Sequence, residues 1–207
     1  MSHTILHIDS SPMGARSVSK KLTQQVVSKL TEKYPDTHVV YHDLSTEILP
    51  HLNGEILGSF FTPKENHTPA QAEAIRVSDQ LTDELLAADV IVIGAPMWNF
   101  NIPSSLKAWI DHISRMGRTF KYTETGPQGL VASDKKVIVV SSRGGIYTEG
   151  PAQAFDHQES YLKAIFGFLG ISDVSFVRAE GVSMGEESVA KALKAAESHL
   201  AEVLLTA

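Results

Sequence analysis

The stretch "VIVIGAPMWNFNIPSSLKAWID", Val90 to Asp111, carries a buried strand into a helix through an unusual turn. Val90 to Gly94 is a short apolar run of the kind that fills the middle of a parallel sheet. Pro103 and Ser104 open a helix, expected over Leu106 to Met116 with Trp109, Ile110 and Ile113 on one side. Between them lie Pro96-Met97-Trp98-Asn99-Phe100, where a small polar turn is the norm. Loops that spend large apolar residues are usually gripping something. Most aromatic residues are simply core, but these stand at a strand exit between two prolines, where core packing does not require them. A flat aromatic ligand fits the combination, with apolar walls against its ring and Asn99 and backbone N–H groups at its polar edge.

The same strand-then-helix unit recurs along the chain. Ile5 to Ile8, Val39 to Tyr41, Val137 to Val140 and Val174 to Val177 read as further strands. Ser17 to Tyr34 places Val18, Leu22, Val26, Leu30 and Tyr34 on one helical face. Gln71 to Ala88, Ala152 to Leu169 and Glu186 to Leu205 are also expected as helices. Five strands alternating with amphipathic helices predict an α/β fold, a doubly wound five-stranded parallel sheet with helices on both faces. His51 to Pro69 reads as a loop with room for a short helix, and Thr119 to Asp134 as an excursion. With neither repeat nor linker, residues 1–207 read as a single domain.

Bulk properties narrow the function. Hydrophobic content of 43% and charged content of 20% are ordinary for a globular protein. A net charge of −6 offers no field for a phosphate backbone, so nucleic acid is excluded as a partner. No apolar run approaches a membrane span, and the opening residues read as a first strand rather than a signal peptide. Cysteine is absent, which removes thiolate catalysis, iron–sulfur ligation and most zinc sites, and is compatible with a cytoplasmic protein. No metal site is expected.

Ligands of doubly wound sheets bind beyond the carboxyl ends of the strands. The loop after the first strand follows Asp9 and reads "SSPMGARSVSKK", Ser10 to Lys21. It holds Ser10, Ser11, Ser17 and Ser19 and, after Asp9, no carboxylate before Glu32. Arg16, Lys20 and Lys21 put positive charge at a helix start, which opposes the macrodipole unless an anion binds there. Ser17 can be a plain N-cap, yet one cap accounts for one serine; hydroxyls and free N–H groups together read as a phosphate site. Without GxxxxGK[ST] or GxGxxG the loop is no P-loop and no dinucleotide fingerprint, and a monophosphate is expected. The loop "SSRGGIYTEGP", Ser141 to Pro151, adds a glycine pair, often only a turn, that would allow close backbone approach and unusual φ.

These segments resemble the FMN-dependent NADH-azoreductases, which are also NADH:quinone oxidoreductases of flavodoxin-like fold. "SSPMGARSVS", "APMWNFNIPSSLKAWID", "TFKYTETGPQGL", "SSRGGI" and "FLGISDVSFVRAEG" carry the resemblance, which spans essentially the whole chain. It implies that Ser11 and the Ser17-Val18-Ser19 turn bind the FMN phosphate, that Met97, Trp98, Asn99 and Phe100 hold the isoalloxazine ring, and that Ser142, Arg143, Gly144 and Gly145 hold its far edge. Many members have tyrosine where Trp98 stands, and some have histidine where Tyr147 stands, so no side chain is assigned as general acid or base.

The expected activity is transfer of two electrons from NADH to quinones or azo compounds, in ping-pong order because both substrates need the same flavin face. Backbone N–H groups around Gly144 and Gly145 would stabilise charge on the reduced flavin. A homodimer is implied, with Trp109, Ile113, Phe120 and Tyr122 expected to mark the interface. Three rival readings compete. A flavodoxin-like electron carrier would share the fold without turning over an organic substrate; a serine hydrolase would need a GxSxG elbow that is missing; a nucleotide-binding regulator would bind no flavin.

Overall fold

The computed structural model describes residues 3–205; the outermost residues of the expected 1–207 domain lie outside them. Five parallel strands form the sheet: β1 (Thr4–Asp9), β2 (His38–Asp43), β3 (Val90–Gly94), β6 (Lys136–Arg143) and β7 (Asp173–Glu180), in the order β2-β1-β3-β6-β7. This is the flavodoxin-like order, and the direction of winding reverses between β1 and β3. Two short antiparallel strands, β4 (Phe120–Thr123) and β5 (Gly126–Gly129), form a separate hairpin from the expected excursion. Gly129 lets that hairpin dock: a Cβ there would lie 2.2 Å from the Gly170 nitrogen.

Period-two alternation divides the core between the two faces of the sheet. Leu6, Ile8, Ile91, Ile93, Val137 and Val139 pack on one face against α3 (Pro69–Ala87), α4 (Ser104–Ile113) and α5 (Gln158–Leu169). Ile5, Val92, Ile138, Val140 and Val177 pack on the other against α1 (Val18–Lys33) and α6 (Glu186–Leu205). The region expected as a loop over His51 to Pro69 contains α2 (Gly54–Phe61), whose first N–H groups are capped by the Asn53 side chain.

Three expectations need correction. The helix α4 stops at Ile113, not Met116, because the Thr119 hydroxyl draws the chain round: it donates to the Ile113 carbonyl and accepts from the Arg115 N–H. Ala152 to Leu169 is not one helix. Pro151–Phe155 is a 3-10 turn, and α5 restarts where the Asp156 carboxylate accepts from the N–H groups of Gln158 and Glu159. Trp109 and Ile113 are fully buried rather than presented to a partner, while Phe120 packs on Phe168; only Tyr122 of that group is exposed.

Candidate functional site

The loops after β1, β3 and β6 meet where the winding reverses. The Ser10 hydroxyl and N–H both donate to the Gly94 carbonyl, at 2.6 and 3.2 Å, binding the exits of β1 and β3 together. Met97 N–H donates to the Ser142 carbonyl at 2.8 Å and joins the third loop to them. Ser11, Ser17, Val18, Met97, Trp98, Ser142 and Gly144 thereby converge on one cleft of about 360 Å³.

One end of the cleft is polar and electropositive. Ser17 caps α1 by accepting from the Lys20 N–H at 3.1 Å, which leaves the Val18 and Ser19 N–H groups among the unpaired donors of the first turn. Ser11 and exposed Arg16 line the same end. Ser19 itself is fully buried behind the cap, its hydroxyl 3.1 Å from that of Ser17. Lys20 is committed elsewhere. Its ammonium lies 2.6 Å from Asp43, a bond that holds its pKa well above the usual lysine range.

The opposite wall is apolar, and its backbone is strained. Asn99 and Phe100 both take positive φ, 47° and 69°, the only non-glycine residues to do so among those described. Trp98 and Asn101 exchange N–H···O bonds of 2.8 and 3.0 Å around them, closing a tight two-residue turn. Such outliers cluster at ligand clamps. The turn leaves Trp98 and Phe100 each 44% exposed. Trp98 divides the 360 Å³ cleft from a larger one of about 730 Å³, onto which Asn99, Ser45, Lys107 and Tyr161 face. Burial, with the nearby Asp111 charge, pushes the Tyr161 phenol up to about 12, so it stays protonated.

Not every expected residue reaches the cleft. Phe100 stacks on Phe155, ring centroids 5.2 Å apart. Arg143 has no exposed surface; its guanidinium turns away toward Asp156, Glu159 and Glu180. Gly144 and Gly145 do not use positive φ. Close packing explains Gly144 instead, since a Cβ there would lie 3.0 Å from the Ser183 hydroxyl. The carbonyls of Arg143, Gly144 and Gly145 accept from Val182, Ser183 and Gly181, so this loop is fastened from behind. The N–H groups of Gly144 and Gly145 meet no hydrogen-bond acceptor among the described residues. Val182 and Ser183 also line the cleft, and the sequence reading does not single them out. Their one signal is position: they follow the fifth strand, on the same edge as the other loops.

The arrangement fits FMN: first-turn donors, hydroxyls and a cation for a phosphate, an indole for a flat ring, and a close-packed glycine edge opposite. The family model described as flavodoxin-like fold matches residues 3–204. The FMN-dependent NADH:quinone oxidoreductase of Delftia acidovorans is 54% identical over 197 residues, covering 95% of this chain and 92% of that protein. Its namesake from Sinorhizobium fredii is 51% identical over 200 residues, covering 96% and 95%. Among solved structures, an azoreductase from Bacillus anthracis is similar with a TM-score of 0.89 and 32% identity, over 97% of this chain and 98% of that one. An FMN-dependent NADH-azoreductase of the same species, in complex with FMN, matches with a TM-score of 0.86 and 29% identity, over 97% and 99%.

Proposed function

The chain belongs to the flavodoxin-like family of FMN-dependent NADH:quinone oxidoreductases, and on that premise we propose how its cleft serves the activity. It is an enzyme that transfers two electrons from NADH to quinones and azo compounds. Bound FMN supplies the redox chemistry, accepting hydride from NADH and passing two electrons on; the protein supplies position and electrostatics. Residues 1–207 act as one FMN-binding domain.

The Ser11 and Ser17 hydroxyls and the Val18 and Ser19 N–H groups hold the phosphate, with Arg16 balancing its charge. Met97 and Trp98 wall the isoalloxazine ring, and Asn99 and Phe100 shape the turn that aims the indole. Ser142, Gly144 and Gly145 border the opposite edge, where unpaired N–H groups suit developing negative charge. Arg143 contributes through the fold beneath this loop. NADH and the acceptor take turns at the exposed face, and no side chain is needed as a dedicated acid or base.

We also propose a homodimer. Trp98, Phe100, Ile146 and Phe155 are all at least two-fifths exposed around the cleft mouth, and such apolar rims mark interfaces. No helix among the described residues is long and apolar enough to cross a membrane; the cytoplasm, where NADH is available, is the proposed location.

The observation that carries the reading is a serine-lined helix start facing the Trp98–Phe100 turn across one cleft. Its test is the visible spectrum of the purified protein, with release of FMN on denaturation and quinone-driven NADH oxidation. A colourless protein that takes up no added FMN would refute it.

A further inference from the structure

The fully buried Arg143 sits at the centre of a continuous polar chain that links the two walls of the cleft. Its Nε donates to the Ser141 hydroxyl at 2.9 Å; that hydroxyl donates to Gln158 Oε1 at 2.6 Å. Gln158 Nε2 then donates to the Ala95 carbonyl at 3.0 Å, at the root of the Trp98 turn. On the other side, Arg143 Nη1 donates to Glu180 Oε1 at 3.2 Å, which also accepts from the Tyr147 N–H at 2.8 Å. The second Glu180 oxygen accepts from the Thr148 hydroxyl. Asp156 and Glu159 complete the shell around Arg143, at 2.9 and 2.8 Å.

Stability alone gives little reason for this chain. Buried ion clusters are often no more stabilising than well-packed apolar residues of the same volume, because desolvation offsets attraction. What a fully satisfied network does provide is a fixed distance between the groups at its ends. Those ends are the two loops that face each other across the cleft. The start of α5 holds the far end of the turn as well, since His157 N–H donates to the Phe100 carbonyl at 3.1 Å.

We infer that the chain Ala95–Gln158–Ser141–Arg143–Glu180–Tyr147 is a spacer that sets the width of the flavin cleft, with Gln158 and Glu180 as positioning residues. The inference rests on the FMN reading above and goes beyond it: neither residue lines the cleft. Positioning groups behind a bound cofactor commonly matter as much as the groups that touch it.

The test compares Gln158→Leu, Glu180→Ala and Glu180→Gln with the wild-type chain. Leucine keeps the approximate volume and loses both bonds; Glu180→Ala leaves Arg143 two carboxylates and so spares the fold. Glutamine at 180 can still accept from Tyr147 and Arg143. FMN dissociation constants are measured on apoprotein, and visible circular dichroism at saturating FMN reports the ring's surroundings. Gln158→Leu and Glu180→Ala are expected to raise the dissociation constant about ten- to hundredfold and to change the visible band, while Glu180→Gln restores both. Unchanged affinity and unchanged visible bands in the two disruptive variants, whatever happens to their thermal stability, would overturn the spacer. Failure of the wild-type chain to bind FMN would overturn the functional reading and this inference together.

Discussion

Replacing Trp98 by alanine measures how much of the ring's grip comes from this one wall. Trp98 is 44% exposed, so of roughly 250 Å² on an indole side chain about 110 Å² is free to contact a ligand. A planar ring lying against it covers between half and all of that. At about 25 cal/mol per Å², the contact stabilises bound FMN by about 1.4–2.8 kcal/mol, a ten- to hundredfold rise in the dissociation constant when it is lost. The assay is flavin fluorescence during titration of apoprotein. The chain has two tryptophans, and Trp109 is fully buried in the core, so its emission reports whether the variant is folded. Trp98→Phe should recover most of the loss, since it restores a flat apolar wall. A folded Trp98→Ala protein with FMN affinity within about twofold of wild type would refute the reasoning, because burial of this size cannot vanish without at least that effect.

Ser17→Ala should cost about 1 kcal/mol of stability through the lost cap; it should also weaken FMN while leaving riboflavin, which has no phosphate, almost unaffected. Titrating both ligands separates cap from phosphate site, and equal losses for the two would remove the phosphate role. His42 lies 2.7 Å from both Glu84 and Glu47, and the bond to Glu84 first, with Glu47 adding and burial opposing, pushes its pKa up to about 9. Since the folded value lies above the ordinary one near 6.5, this stabilisation is complete below pH 6.5 and is lost as pH rises through about 9. It should amount to about 1–2 kcal/mol after screening at the part-exposed Glu47, seen as a thermal midpoint that falls over that window in wild type but not in His42→Gln. Initial rates at several fixed quinone concentrations should give parallel double-reciprocal lines, whereas intersecting lines would show both substrates bound at once. Sedimentation at micromolar concentration should give a dimer mass; a fully active monomer would remove the proposed interface.

Local chemistry is the readable part. The strands and most helices announce themselves by periodicity, and the Trp98 turn by aromatic residues standing where a loop has no packing use for them. Some helix boundaries that periodicity misplaces are legible too. Thr68, Pro69 and Gln71 form a capping box with proline in the first turn, which starts α3 two residues earlier than its apolar pattern suggests. Asn53 likewise announces α2. Other features have no local signature. Arg143 beside a glycine pair reads as a ligand residue until β7 and α5 bring three carboxylates around it. The apolar rhythm of Ala152 to Leu169 runs straight through Asp156, whose capping role depends on which N–H groups lie within reach. Trp109 looks like surface as long as its face of α4 is taken without the sheet that covers it. Such errors share a cause: the deciding partner is distant in the chain.

The turn at Asn99 and Phe100 shows why the apolar residues of the opening stretch are there. A two-residue turn with both central φ values positive is the type I′ pattern, which favours Asn followed by Gly. Asparagine holds its expected place. Phenylalanine holds the glycine position, where a side chain in the left-handed region costs about 1–2 kcal/mol. The compensation visible within the chain is the stack on Phe155, worth about 0.5–1.5 kcal/mol, together with the half of the ring that is buried. Relief of strain and loss of these contacts therefore come close to cancelling, so folding stability alone gives weak reason to prefer Phe over Gly at position 100. The ring's exposed part has no use inside the described chain. Its use must lie with something the turn faces, the ligand in the cleft or a second copy closing over it, and in both cases the strain in the backbone is held for binding rather than for the fold.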